Sequence, residues 1–254
     1  CLIVNVQRGG PGLGGIQPSQ SDYYQATRGV GHGDLRLLVL APSSVQEMAS
    51  LTATAFDLAD IYRMPAMLLA DGALGQMMEP VDFSAFEKHE IPEKPWATVG
   101  HKMAREHNIV NSLFIDPQVL EDSVRARYKR YDMVEEKEVR YEEFCTDDAD
   151  IVLVAFGITA GICKSAVTAA REKGIKAGLL RPITLWPFPK KPIAAVADHA
   201  KALLSVEMSM GQMVDDVRLA VNGKKPVYFY GRTGGMNPSV EEVTAEIEKL
   251  AAAL

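Results

Sequence analysis

Three apolar runs of strand length open the chain. Leu2-Ile3-Val4-Asn5-Val6, Leu35-Arg36-Leu37-Leu38-Val39-Leu40 and Ala66-Met67-Leu68-Leu69-Ala70-Asp71 are nearly continuous in hydrophobicity. Strands buried on both faces of a parallel sheet read this way. Between the second and third, Met48, Leu51, Thr52, Ala55, Phe56 and Ala59 recur at helical spacing and predict a helix over 45–62. Ser43 or Ser44 offers its cap, and Gln46 or Glu47 the reciprocal contact. Strand, helix, strand at this spacing predicts a right-handed βαβ crossover. A glycine-rich loop fills the interval from residue 7 to residue 33.

The pattern then changes. Proline and charge dominate residues 80–117, as in Glu90-Ile91-Pro92-Glu93-Lys94-Pro95-Trp96, and a polar amphipathic helix is predicted over 118–144. So long a connection is foreign to the interior of one domain and reads as a bridge between two. Strand-like runs resume at 150–156, 175–180, 202–206 and 227–230. Helices are predicted over 158–173, closed by Gly174, then 193–199, 213–221 and 239–250, the last after Pro238. The fold class is α/β, with two units built on mainly parallel sheets between helices. The expected division is 1–80, 81–144 and 145–254. The chain begins inside an apolar strand run, with no initiator Met and no leading loop. The first unit is therefore expected to lack its beginning, and an exposed sheet edge there would favour pairing between copies.

Composition narrows the classes of function. Of 254 residues, 47% are hydrophobic and 24% charged, the profile of a globular protein large enough to bury a core. A net charge of −6 argues against nucleic acid or anionic membrane as the main partner. The basic run Arg125–Arg130 soon gives way to Glu135-Glu136-Lys137-Glu138 and reads as a solvated helix face. Cys1, Cys145 and Cys163 are isolated, with no Cys-x-x-Cys pair, which argues against an iron–sulfur cluster or structural zinc on this chain and fits a reducing cytoplasm. No apolar run approaches the roughly 20 residues that a membrane-spanning helix needs.

Chemistry is suggested first at Gln7-Arg8-Gly9-Gly10-Pro11-Gly12-Leu13-Gly14-Gly15, directly after a strand. It is neither a P-loop nor the dinucleotide fingerprint. Two readings stand: a wide turn using glycine for positive φ, or close backbone approach to a ligand with Arg8 as a forked cation for a carboxylate or phosphate. Loops at the carboxyl ends of parallel strands are the usual ligand sites of such sheets.

Further motifs share a pattern with this loop. Val4-Asn5-Val6-Gln7-Arg8-Gly9-Gly10-Pro11-Gly12, Gln20-Ser21-Asp22, Gly31-His32-Gly33-Asp34, Leu40-Ala41-Pro42-Ser43-Ser44-Val45-Gln46-Glu47, Tyr62-Arg63-Met64-Pro65-Ala66 and Asp71-Gly72 resemble the α-type subunits of 2-oxoacid:ferredoxin oxidoreductases. So do Arg181-Pro182-Ile183-Thr184-Leu185-Trp186-Pro187-Phe188-Pro189, Glu207-Met208-Ser209-Met210-Gly211-Gln212 and Gly231-Arg232-Thr233-Gly234-Gly235-Met236-Asn237-Pro238. The resemblance runs through essentially the whole chain in order. It implies a partial pyrimidine-type, thiamine-diphosphate-binding three-layer domain followed by a transketolase-carboxy-terminal-like α/β domain.

The resemblance also implies a chemistry: oxidative decarboxylation of a 2-oxo acid to an acyl-CoA, with electrons passed to ferredoxin. Thiamine diphosphate and magnesium would be held mostly by a β subunit, CoA would be co-substrate, and iron–sulfur clusters would sit on other subunits, γ and a ferredoxin-like δ. Arg8 would hold the substrate carboxylate, while Gly9, Gly10, Pro11 and Gly12 would line the cofactor cleft, with Gln20, Asp22 and His32 as further candidates. No catalytic residue is assignable, because the glutamate that engages the aminopyrimidine is implied upstream of Cys1, and no metal ligand is expected. Branched-chain and 2-oxoglutarate members share these motifs. The short α form implies a multi-subunit bacterial or archaeal complex.

Plainer roles suit the other candidates. His32 reads as a capping or hydrogen-bonding loop residue, and Asp22 as a residue that caps or orients the loop. Arg181 reads as a structural ion-pair partner across a subunit interface, and Glu207 as either a ligand contact or the cap of the next helix. Met208, Met210 and Met213 read as core or interface, and Cys163 as inert filling of a helix face. A non-catalytic assembly subunit on the same modules is the rival reading. A free-standing nucleotide-binding protein is weakened by the missing phosphate-loop fingerprints.

Overall fold

In the first part of the chain, β1 (Leu2–Gln7), β2 (Leu38–Leu40) and β3 (Ala66–Asp71) form as parallel strands in a computed structural model that describes residues 1–29 and 32–254. Gly31 of the Gly-His-Gly-Asp motif lies outside the described residues. Helix α1 (Tyr23–Thr27) follows the glycine-rich loop, and α2 (Val45–Ile61) makes the crossover between β2 and β3. Ser44 caps α2 by accepting a hydrogen bond from the Glu47 amide. The reciprocal contact is shifted by one residue, because the Glu47 carboxylate accepts from the amide of Ser43. The second strand is shorter than the apolar run suggested. Leu35 and Arg36 lie outside it, and the amide of Leu38 already bonds to Pro65.

Helix α3 (Pro117–Lys137) starts on a cap in which Asp116 accepts from the Gln118 and Val119 amides. It ends earlier than the expected 144. Its last buried residue is Val134, and Tyr141–Phe144 forms β4 instead. The correction has a physical reason: β4 gains its ladder by running antiparallel to a strand whose residues, Leu179 to Pro182, lie far along the chain. Nothing local in Tyr141-Glu142-Glu143-Phe144 announces that partner.

The second sheet has the order β4-β6-β5-β8-β9, from β5 (Ile151–Val154), β6 (Ala177–Pro182), β8 (Ala202–Glu207) and β9 (Val227–Gly231). Apart from β4 its pairs are parallel, and α4 (Gly157–Glu172), α5 (Lys190–His199), α6 (Met213–Val221) and α7 (Val240–Ala253) connect and flank them. Between β6 and α5 the chain adds an unexpected strand, β7 (Thr184–Trp186). It leaves the second sheet and joins the first, antiparallel to β2, giving the order β1-β3-β2-β7.

Alternation along β5 divides the interior. Ile151 and Leu153 face a cluster made with Cys163, Val167, Val243 and Ile247 of α4 and α7. Val152 and Val154 face the opposite way, into a core that also holds Leu38, Leu40, Leu68, Trp186, Ile193, Met213 and Val217. The two α/β units therefore share one hydrophobic core. Cys163 is fully buried, and burial pushes its thiol up, as its inert reading requires. Met208 and Met213 are buried as well, whereas Met210 is 79% exposed and does not join the core of this chain. At the other extreme, β1 has a single neighbour, β3, and Ile3, Val4 and Val6 remain exposed.

Arg181 fastens the units through charge. Its side chain is 6% exposed, and its guanidinium donates to both oxygens of Glu47 at 2.8 and 2.7 Å, to Ser43 Oγ at 2.6 Å and to Glu142 at 3.0 Å. These partners belong to its own chain, which replaces the expected pairing across a subunit interface. Burial works against the Glu142 carboxylate. Hydrogen bonding from Lys164 and the charges of Lys164 and Arg181 outweigh it and hold its pKa below the usual value. Arg181→Met should lower stability by about 2 kcal/mol, since three half-buried polar partners lose a charged donor; chemical denaturation checks this. Because the folded-state pKa of Glu142 is depressed, its contribution is present above the ordinary glutamate range and is lost as pH falls through the lowered value. The gap between the two proteins should therefore narrow in acid.

Candidate functional site

The carboxyl ends of the parallel strands of both sheets meet at one polar seam. β1 ends at Gln7 and β3 at Asp71 on one side, while β5 runs out at Val154 and β8 at Glu207 on the other. Asp71 crosses the seam: one oxygen accepts from the Ala73 and Leu74 amides, the other from the Ile158 amide at the start of α4. Burial raises the Asp71 pKa, and those three backbone donors only partly offset it. Gly157 sits between the two units with φ of +60°. A Cβ there would lie 2.8 Å from Gln20 Nε2 and 2.9 Å from Asp71 Oδ2, so the close approach requires glycine.

The glycine-rich loop emerges from β1 into this seam. Arg8 forms an isolated antiparallel bridge with Pro18, the Gly9 amide bonds to Gln17, and the Gly15 amide bonds to Gly9, which closes the segment on itself. The exposed Arg8 side chain curls inward. Nη1 donates to the carbonyls of Gly9 (3.1 Å), Leu13 (2.8 Å) and Gly15 (3.3 Å), and Nη2 to that of Gly12 (2.9 Å). Arg8 thus organises its own loop, and none of these four bonds uses Nε. Gly14, at φ of +43°, is the position the closure depends on, since a Cβ would fall 2.0 Å from the Gly9 carbonyl oxygen. A Cβ added to Gly10 or Gly12 would meet nothing within 4 Å. The backbone at both glycines is exposed.

The remaining predicted residues part company here. Gln20 is fully buried: Nε2 donates to the Phe156 carbonyl at 2.8 Å, and Oε1 accepts from Thr159 Oγ1 and the Met208 amide. Asp22 accepts from Asn5 of β1, and its amide donates to the Gln7 side chain. It precedes α1, but its side chain makes no capping bond there; of the two expected roles, capping and orienting the loop, its bonds to β1 suit the second. His32 is exposed and lines a shallow hollow with Arg28, Asp34, Arg36 and Tyr128, apart from Arg8. Glu207 resolves in favour of helix capping: with no exposed surface, it accepts from the amides of Gln212, Met213 and Val214 and from Ser205 and Ser209.

Several seam residues escaped sequence reading. Tyr23 donates to Asp216 at 2.6 Å, and burial, reinforced by the Asp216 charge, drives its pKa well up. Arg28 pairs with the same carboxylate at 3.0 Å. Tyr24 bonds to Asp215, which together with burial pushes its pKa up to about 12. Gln212 accepts from the Tyr24 amide and donates to the Ser21 carbonyl. The Tyr-Tyr pair following Gln20-Ser21-Asp22 was visible as sequence; its partners, some 190 residues away, were not. Among the described residues no group of three or more His, Cys, Asp or Glu side chains is placed to hold a metal ion, and no helix is long and apolar enough to cross a membrane. A cleft of about 350 Å³ does exist, between Glu135, Glu136, Tyr141, Phe188, Lys190 and Lys191, but it lies away from the Arg8 loop. That cleft and the glycine-rich surface do not coincide.

Comparison with known proteins follows this division. Residues 1–144 match the family described as pyruvate flavodoxin/ferredoxin oxidoreductase, thiamine diphosphate-binding, and residues 149–243 match pyruvate:ferredoxin oxidoreductase core domain II. The chain belongs to this family of 2-oxoacid oxidoreductases, among its α-type subunits. It is 47% identical to the ketoisovalerate oxidoreductase subunit VorB of Methanothermobacter marburgensis over 251 residues, 99% of this chain and 71% of that protein. With the 2-oxoglutarate synthase subunit KorA of Methanothermobacter thermautotrophicus it shares 33% identity over 282 residues, 98% of this chain and 73% of the relative. The 2-oxoglutarate:ferredoxin oxidoreductase from Magnetococcus marinus, solved with 2-oxoglutarate, coenzyme A and succinyl-CoA bound, has the same fold: TM-score 0.75 at 22% identity, covering 98% of this chain. This chain spans 48% of that one.

In the part of the chain that matches a thiamine diphosphate-binding family, the exposed backbone of this loop leaves room for a ligand beside it. Gly10 and Gly12 leave a face that any side chain would fill, and the loop holding them is fixed from within by Arg8. Gly14→Ala should break that closure, seen as accelerated hydrogen exchange of the Gly15 amide, while Gly10→Ala should leave exchange in the loop unchanged.

Proposed function

We propose that this chain is the α subunit of an enzyme that oxidatively decarboxylates a 2-oxo acid to an acyl-CoA, passing two electrons one at a time to ferredoxin. The observation that carries this is the Arg8 loop, set where two sheets direct their strand ends, in a chain 47% identical to a ketoisovalerate oxidoreductase subunit. Thiamine diphosphate, when bound, supplies the electron sink for loss of CO2. This chain supplies the bare glycine face against which such a ring can lie, and Arg8 beside it. A partner β subunit supplies the opposite wall with the diphosphate and magnesium sites, consistent with a loop that is open on its outer side. Iron–sulfur clusters on γ and ferredoxin-like δ subunits carry the electrons away, and CoA takes the acyl group.

Arg8 is suited to a limited task. Nη1 is committed to loop carbonyls, and the edge bearing Nε remains to meet a carboxylate. The carboxylate loses its charge as CO2 departs, so holding it tightly favours the ground state over the transition state. A weak orienting contact serves the reaction better than a clamp. The greater identity to the ketoisovalerate relative than to the 2-oxoglutarate one supports a branched-chain 2-oxo acid as substrate.

Assembly of the full-length chain with its partner subunits, assayed for CoA- and thiamine-dependent viologen reduction, tests both points. The rate constant ratio kcat/KM should be higher for 3-methyl-2-oxobutanoate than for 2-oxoglutarate. Arg8→Ala should raise KM for the oxo acid about tenfold to a hundredfold, the loss of one charged hydrogen bond, with a smaller change in kcat. An unchanged KM would remove the carboxylate role from Arg8.

A further inference from the structure

We infer that Gln20 is a positioning residue of the Arg8 loop, the side chain that ties its return limb to three separate pieces of the second unit. The inference rests on the function proposed above only for its kinetic consequence; the mechanical part stands on the geometry alone.

Gln20 lies at the end of the return limb of the loop, two residues beyond the Arg8–Pro18 bridge. Its amide group has no exposed surface and touches three separate pieces of the second unit. Nε2 donates to the Phe156 carbonyl at the end of the β5 segment, and Oε1 accepts from Thr159 in the first turn of α4 and from the Met208 amide just past β8. Its own backbone amide donates to the Met208 carbonyl at 2.9 Å. The neighbouring Ser19 hydroxyl reaches the same carbonyl. The opposite limb, Gln7, is fixed to the first unit through Ala70 and Gly72. Arg8 therefore hangs between an anchor on the first sheet and an anchor on the second.

The chemistry of the amide matters here. Both kinds of bond are needed at once, a donor toward Phe156 and an acceptor toward Thr159 and Met208, in a dry site. A carboxylate would supply the acceptor but face the Phe156 carbonyl without a proton, and a leucine would fill the volume and supply neither. The geometry also explains why glycine stands at 157: the Gln20 amide occupies the space a Cβ would take.

The test begins with hydrogen exchange on the full-length chain without substrate. Gln20→Leu should speed exchange of the Gly9 and Gly15 amides about tenfold or more, as a local opening and not a global one, while α7, remote from the seam, keeps its protection. Thr159→Val, which removes one of the three contacts, should give a smaller increase. Should Gln20→Leu not fold, Gln20→Glu provides the second route. A protonated glutamic acid restores the donor to Phe156, so loop protection in this variant should recover as pH falls through the carboxyl range. Unchanged protection of Gly9 and Gly15 in these variants would overturn the inference.

The kinetic arm uses the assembled enzyme with Arg8→Ala alongside. Gln20→Glu should raise KM for the 2-oxo acid while leaving KM for CoA in place, with the increase shrinking at lower pH. If Arg8→Ala raises that KM and Gln20→Glu does not, Gln20 does not position the loop. If neither variant moves it, the fault lies with the proposed carboxylate role of Arg8, and the exchange result decides for Gln20.

Discussion

Burial of both faces of β5 is the constraint on which the remaining geometry rests. Its alternate residues, Val152 and Val154 against Ile151 and Leu153, leave no free face, so the second sheet must be covered twice. One cover is the α4–α7 layer; the other is an apolar body continuous with the first sheet. Each fully buried aliphatic side chain there contributes on the order of 1.5–3 kcal/mol, whereas a hydrogen bond nets about 1 kcal/mol. The shared core therefore supplies the association of the units, and β7, a strand lent by the second unit to the first, makes their separation cost a ladder as well.

Once the core has joined the units, the strand ends are brought together out of water, and polar groups there must find partners or carry a penalty. Asp71, Glu207, Gln20 and Tyr23 satisfy this demand, as Arg181 does through Nη1 and Nη2, and each bonds across a junction or to the start of a helix. Their individual contributions to stability are small. What they fix is register: an amide or carboxylate that slides by one residue leaves several buried groups unpaired. The glycine loop inherits that precision from its two anchors, and the bonds from Arg8 to its own carbonyls make it rigid between them. The exposed surface of the loop is thus held by the seam without itself being buried.

The seam also accounts for which candidates separated. Sequence motifs placed Gln20, Asp22 and Arg8 in one functional set. In the fold, Gln20 faces inward to the second unit, Asp22 faces β1, and Arg8 turns onto its own exposed loop. Arg181 and Glu207 belong to motifs too, and their work, like that of Gly157, is to hold the two units and their helices in place.

Hydrophobic periodicity by itself determined the βαβ units and the α/β class, and the serines before the helix over 45–62 narrowed its cap to Ser43 or Ser44, because those features depend on residues only a few positions apart. The order of motifs carried the family, and the glycine spacing carried the loop. The tertiary structure alone decided that β4 and β7 are strands, that Arg181 pairs with Glu47 and Glu142 of its own chain, and that Gln20 meets Phe156, Thr159 and Met208. Each of those contacts joins residues roughly forty to nearly two hundred positions apart. Local pattern holds no term for such a pairing. It arises when burial of a common core carries distant polar groups into the same dry seam, where they must bond to one another.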